Sequence, residues 1–257
     1  MPGMMLAGRK ILVVGGGQVQ EDGDPPANGR TIALAAATEG ATVCVADKSA
    51  EGAAATAMQV RQNGGIAFEH VADISDPAQV ENMIKQAAAG MAGLDGLVLN
   101  VGFGLGLGID ETTQEDWDMV FSVNVRAHML ACKAALPLMP VGASIVFISS
   151  IAARRVVNRY LSYSSSKAAV EGLARSIAAE GESRLIRANV AVLGFIDTPI
   201  GRRANSKIPG RAQRSFPFGR QGRAEECANA VVFLLSDRAS YVNAHCLVVD
   251  GGWSVLR

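Results

Sequence analysis

Long apolar runs, paired cysteines and an excess of either charge are all missing from this sequence of 257 residues. No stretch approaches the roughly 20 apolar residues that a bilayer-spanning helix needs, so no membrane segment is expected. The apolar run at 11–14 is short and ends in glycines, unlike a secretory leader, and a soluble, cytoplasmic protein is expected. Lys plus Arg equals Asp plus Glu at 24 each, a balance that gives no reason to expect nucleic acid or an anionic membrane as partner. Cys44, Cys132, Cys227 and Cys246 form no CxxC pair, and His70, His128 and His245 stand apart from one another. Reduced core thiols and no metal site are therefore expected. Aromatics are scarce at 5% against 49% hydrophobic residues overall, which suits one large α/β domain.

What the sequence does contain is alternation. Seven short apolar, β-branched runs occur at 10–14, 41–46, 67–72, 96–100, 144–149, 187–193 and 245–250. Between them lie alanine-rich or amphipathic segments, at roughly 28–39, 49–63, 76–90, 113–138, 160–181 and 224–236, whose apolar residues recur every three or four positions. A helix after each strand predicts a doubly wound, parallel seven-stranded sheet in three α/β/α layers, because right-handed crossovers need one helix per strand pair. Ser75 ahead of Asp76-Pro77, and Thr113 three before Asp116, read as helix starts. Two stretches lack periodicity: the loop after the first strand, and residues 199–223, rich in Arg, Gly and Pro. Loops of that length in a compact domain are usually functional.

The first of these begins GGGQVQEDGDPPANGR. Gly15, Gly16 and Gly17 follow the first strand and Asn28-Gly29 opens the first helix, so both ends of a phosphate-holding turn are present. Asp47 closes the second strand, 18 residues beyond Gly29, where a carboxylate can accept from a ribose 2′-hydroxyl and repel a 2′-phosphate. NAD is therefore expected over NADP, with Lys48 alongside as the opposing consideration. Further on, YSSSK places Tyr163 and Lys167 four residues apart on one helical face. A phenol titrates near ~10, and a neighbouring ammonium lowers that value, which makes tyrosine a usable acid–base group. Ser150 ends the fifth apolar run and carries its hydroxyl to the carboxyl edge of the sheet, where open α/β sheets bind ligands.

With these motifs in this order, nearly the whole chain resembles the short-chain dehydrogenase/reductase family. Asp73-Ile74 is similar to the family's adenine-contacting pair, and NVG at 100–102, with Asn100 and Gly102, to its NAG. Asn124, Ser150, Tyr163 and Lys167 match its catalytic tetrad, and GFIDTP at 194–199, with Ile196 and Thr198, its nicotinamide-side loop. The resemblance implies a single Rossmann-type domain over residues 1–257, with 199–223 as substrate lid. It implies hydride transfer between NAD(H) and a secondary alcohol or ketone. Tyr163 would be the acid–base group and Ser150 would bind the substrate oxygen. Lys167 would hold the nicotinamide ribose, and Asn124 would anchor a relay water. Gly15, Gly17, Asn28, Gly29, Asp47, Asp73, Ile74, Asn100, Gly102, Tyr163, Lys167, Ile196 and Thr198 would contact the cofactor. A homotetramer built on 113–138, 160–181 and the last strand is implied as well.

The chain also departs from the family pattern. Gly15 to Ala27 spans twelve residues where the family has four, so eight residues at about 18–26 are extra, and Ala27 stands in the place of the next glycine. Either the excursion bulges outward on Pro25-Pro26, or Glu21, Asp22 and Asp24 crowd the pyrophosphate. Leu193 replaces a proline before Gly194, which should loosen that turn. Seven basic residues fall between 202 and 223, and Arg154, Arg155 and Arg159 between Ser150 and Tyr163. These either face water or attract an anionic substrate. Two alternatives stay open: an NADPH-dependent 3-oxoacyl-thioester reductase, and a catalytically weak NAD(P)-binding sensor or assembly protein.

Overall fold

The computed structural model describes residues 4–18, 23–156, 159–207, 210 and 214–257. In chain order the elements run β1 (Lys10–Val14), α1 (Asn28–Thr38), β2 (Thr42–Asp47), α2 (Ala50–Gln62), β3 (Ile66–Val71), α3 (Pro77–Gly90) and β4 (Gly96–Leu99). There follow α4 (Gln114–Phe121), a π-helical turn (Ser122–Arg126), α5 (Ala127–Ala135), β5 (Ser144–Ser150), α6 (Leu161–Gly181) and β6 (Arg187–Leu193). The chain ends with β7 (Ile196–Asp197), α7 (Pro199–Lys207), β8 (Gly222–Arg223), α8 (Ala224–Leu235), β9 (Cys246–Val249) and α9 (Trp253–Leu256).

Seven strands form one parallel sheet in the order β3-β2-β1-β4-β5-β6-β9. The order reverses between β1 and β4, which opens a crevice at the carboxyl ends of those strands. Central strands are apolar on both faces because helices cover both. Side chains alternate across the sheet, so Leu12, Val14, Leu97, Leu99, Ile145 and Phe147 pack into one core with α3, α5 and α6. Ile11, Val13, Val98, Val146 and Ile148 enter the other, with α1 and α8. The sheet is the Rossmann-type single domain that the sequence predicts, and all seven expected strands lie within a residue or two of their expected limits.

Helix starts follow local chemistry. Ser49, Asp76 and Thr113 cap α2, α3 and α4, each side chain accepting a backbone N–H of the first turn. Asp76 rather than Ser75 fills the cap, with Pro77 at the first helical position. The expected helix at 113–138 is broken: an extra residue is wound in at Ser122–Arg126, where buried Asn124 bonds to neighbours on two other segments. Residues 199–223, which read as irregular, contain α7, whose first turn is held by Thr198 accepting from the Gly201 N–H at 3.1 Å. Its pattern is hidden because most of its residues are polar and Ile200 faces solvent. Leu193 is buried in register between Ser150 and Val249, and the Gly194 N–H donates to the Val249 carbonyl at 2.9 Å, so the turn is held without a proline.

Candidate active site

Gly15 stands at the end of β1 with φ of +79°, a left-handed conformation suited to glycine. A β-carbon there would lie 2.6 Å from Val101 Cγ2, and one on Gly29 would lie 1.9 Å from the Gly15 carbonyl oxygen. Asn100 donates from Nδ2 to that same carbonyl at 2.8 Å, tying the ends of β1 and β4 together. Unlike the helices capped by Ser49, Asp76 and Thr113, α1 has no side-chain cap, since Ala27 occupies that position. Its first N–H groups are left for an anion. Asn28 Oδ1, at the same helix start, is buried with no hydrogen-bond partner among the described residues. Asp47 accepts from the Gly17 N–H at 3.0 Å and from the Ser49 N–H at 3.0 Å, one on each oxygen, so lone pairs remain for hydroxyls. An uncapped helix end, a cradle without β-carbons and a half-buried carboxylate at the end of β2 fit a dinucleotide.

Gln18 closes the neck of the long loop, a role the sequence reading missed. Its amide donates to the Pro25 carbonyl at 3.1 Å and accepts from the Ala27 N–H at 2.6 Å. Buried Arg30 donates to the Gln18 carbonyl at 3.0 Å. Beyond the neck, Arg202 on α7 donates to the Gly23 carbonyl at 2.9 Å, and the Asp24 charge acts on the same guanidinium. Asp24 thus faces α7, while Glu21 and Asp22 lie outside the described residues. Asp73 accepts from the Ser75 N–H at 2.9 Å. Those bonds with Ser75, and then the nearby Lys48 ammonium, hold its carboxyl below the usual range. Ile74 is buried beside it.

On the far side of the crevice, Asn124 is tied through Ser166 to Tyr163, Lys167 lies against the Tyr163 ring, and Ser150 bonds locally at the end of β5. Lys167 on α6 is fully buried, and its ammonium donates to the Ile148 carbonyl at 2.9 Å and to the Val101 carbonyl at 3.4 Å. Burial pushes its pKa down to about 8. The ammonium lies 5.8 Å from the centroid of the Tyr163 ring. Gly102 makes room for it: a β-carbon there would lie 2.4 Å from Lys167 Nζ. Asn124 commits both amide protons to structure, donating to the Phe103 carbonyl at 2.9 Å and to Ser166 Oγ at 2.9 Å, and its oxygen accepts from the Phe103 N–H at 3.2 Å. Ser166 passes the constraint on by donating to the Tyr163 carbonyl at 2.8 Å. Its position three residues after Tyr163 on one helix was the available signal. Ser150 Oγ accepts from the Ala152 N–H at 3.2 Å, which leaves its own proton free to donate. Ile196 and Thr198 are both buried at the start of the 199–223 segment.

Most of the basic residues around this end are already engaged. Arg202 pairs with Asp197, Arg220 with Glu226 and Arg154 with Glu171, while Arg155 and Arg214 lie against the Trp253 ring. The Arg159 guanidinium rests on Gly108 in the loop beside Tyr163.

A fold with its crevice at the switch point, and a serine, a tyrosine and a buried lysine on its rim, defines a nucleotide-dependent α/β enzyme. The family profile described as Enoyl-(Acyl carrier protein) reductase matches residues 28–254. D-threitol dehydrogenase of Mycolicibacterium smegmatis is 33% identical over 88% of this chain and 88% of its own length. Among solved structures, a short-chain dehydrogenase/reductase from Burkholderia xenovorans superposes with a TM-score of 0.91 at 32% identity, covering 99% of this chain and 100% of its own. A short-chain dehydrogenase from Burkholderia cenocepacia in complex with NADP gives 0.86 at 32% identity, covering 96% and 98%. The chain belongs to the short-chain dehydrogenase/reductase family, and it is an oxidoreductase acting on CH–OH groups.

Proposed function

We propose that the protein interconverts a secondary alcohol and its ketone with NAD(H), using Tyr163 as the acid–base residue. The observation that carries the reading is the buried Lys167 ammonium, held by two main-chain carbonyls beside Tyr163. Its charge favours the phenolate and lowers the pH at which Tyr163 can exchange a proton with the substrate oxygen. Ser150, whose proton is free, donates to that oxygen and stabilises charge developing there. Asn124 works as a brace, linking the loop after β4 to α6 so that Tyr163 and Lys167 keep their places. When bound, the nicotinamide supplies the site that takes or gives the hydride.

The cofactor is held by the α1 start at Asn28 and Gly29, by the bare backbone at Gly15 and Gly17, and by Asp47. Asp73, Ile74, Asn100, Gly102, Ile196 and Thr198 line the rest of its path. Asp47 supports NAD over NADP: a second negative charge at 4 Å costs about 4 kcal/mol near a protein surface. Lys48, the opposing consideration, stands near enough to Asp73 for its charge to act on that carboxyl. The NADP in the Burkholderia cenocepacia protein belongs to that protein's own site. Residues 18–26 form an excursion tied off by Gln18, and 199–223 cover the substrate. A cytoplasmic homotetramer of 26.8 kDa chains goes with this reading, supported by the exposed Met119, Met129 and Leu161 on the helices and Tyr241 and Val255 near β9.

Titration with NADH and NADPH, followed by a screen of secondary alcohols, ketones and 3-oxoacyl thioesters, tests the proposal. NADH should bind about tenfold or more tightly than NADPH. Tyr163→Phe should lower turnover by about 100-fold or more while NADH affinity stays the same. Undiminished turnover in that variant would remove Tyr163 from the chemistry. Cofactor binding without turnover on any alcohol or ketone would identify a sensor instead.

A further inference from the structure

His128 lies on α5, four residues beyond Asn124, and is fully buried. Neither Nδ1 nor Nε2 has a hydrogen-bond partner among the described residues. Buried polar groups are almost always paired with protein or ordered water, so an imidazole with both nitrogens free calls for a reason. Its surroundings supply one. The ring leans toward the Val101 carbonyl, close enough to be affected by it yet short of good hydrogen-bond geometry. It also lies 6.3 Å from the Phe147 ring, centroid to centroid. The same Val101 carbonyl accepts the longer of the two Lys167 bonds, at 3.4 Å.

Burial first, and then the Lys167 ammonium, the one charge that acts on His128, drive the imidazole pKa down to about 3. No carboxylate among the described residues contributes. His128 is therefore neutral wherever Lys167 titrates. A neutral imidazole has one acceptor nitrogen and one donor, and an acceptor beside an ammonium stabilises it.

We propose that His128 is a positioning residue for Lys167, its neutral imidazole completing, behind the Val101 carbonyl, the polar lining that keeps the ammonium charged and directed at the cleft. This rests on the reading of Tyr163 and Lys167 as the proton-transfer pair, and goes beyond it by assigning a role to a residue outside the tetrad.

The experiment compares His128→Leu, which keeps bulk and loses both nitrogens, with His128→Gln, which restores a donor and an acceptor. The Lys167 titration is followed in the cofactor-free protein by NMR of 13C-labelled lysine, with Lys167→Met identifying the signal. The alkaline limb of kcat with NADH is measured alongside. In His128→Leu the Lys167 midpoint should fall from about 8 by about half a pH unit or more, roughly a threefold change in equilibrium. The kcat limb should follow, and substrate KM should stay the same. His128→Gln should recover most of both shifts.

An unchanged Lys167 midpoint in folded His128→Leu would overturn the proposal. So would equal shifts in the two variants, because bulk rather than polarity would then be the cause. Absence of NADH turnover in the unmodified protein would instead overturn the functional reading, and the Lys167 titration would still decide the role of His128.

Discussion

A β-carbon on Gly102 would sit 2.4 Å from the Lys167 ammonium nitrogen, closer than real contacts allow. The end of a lysine side chain can usually move aside, but this one is enclosed and bonded to Ile148 and Val101. Gly102→Ala should therefore push the ammonium away from its carbonyls rather than disturb the sheet. A displacement of about 1 Å at a catalytic group costs on the order of 100-fold in rate. Kinetics and thermal melting of Gly102→Ala check this: turnover should drop by about that factor with little change in melting temperature. Unaffected turnover would mean that Lys167 has a second acceptable position. Gly29 is the contrasting case, because its β-carbon would strike the Gly15 carbonyl, a backbone atom with nowhere to go.

Between β1 and α1, Gln18 does what a short glycine turn cannot. Its amide spans the loop's neck with two bonds, and Arg30 and the Gly52 carbonyl hold its main chain. A neutral hydrogen bond contributes about 0.5–1.5 kcal/mol net, so Gln18→Ala should destabilise the protein by about 1–3 kcal/mol. It should also weaken NADH binding, because Ala27 positions the start of α1. Replacing residues 19–24 with a short glycine link keeps the clamp and should leave NADH affinity within about threefold. Fluorescence titration of both variants separates the alternatives: if the excursion is part of the cradle, the replacement will be the more damaging.

The strands at 10–14, 96–100 and 144–149 were legible because a strand buried on both faces leaves a nearly continuous apolar run. YSSSK, Ser150 and Asp47 were legible because their spacing is local. Gln18, the break at Asn124 and the setting of His128 were not. Each depends on a partner brought up by the tertiary fold: Pro25 and Ala27, Ser166, and the Val101 carbonyl.

For the molecule as a whole, the buried site sets how stability responds to pH. His128 ordinarily titrates at 6.5 and in the native state at about 3. Between those values the unfolded chain holds a proton that the native chain does not, so stability falls as pH falls through that window. The slope is about 1.4 kcal/mol per pH unit. Lys167 ordinarily titrates at 10.5 and here at about 8. Between 8 and 10.5 the unfolded chain again holds the extra proton, so stability rises with pH across that window. Below 8 the native state carries the full cost of the buried ammonium.

Both groups make the protein more stable toward alkaline pH, and both lie around the proposed catalytic centre, where stability is commonly given up for function. Urea unfolding from about pH 7 to about pH 4 should show His128→Leu gaining on the unmodified protein as the pH drops, by about 1 kcal/mol per unit. Lys167→Met should be inactive yet more stable near neutral pH, by about 1–2 kcal/mol once the two carbonyls it abandons are counted against the relief of the buried charge. That advantage should shrink as the pH passes 8 and reverse before it reaches 10.5, because the unmodified protein sheds the cost of the buried charge over that window while keeping its bonds to the two carbonyls. A Lys167→Met advantage that persists undiminished at alkaline pH would show that packing, and not the buried charge, is what the substitution improves.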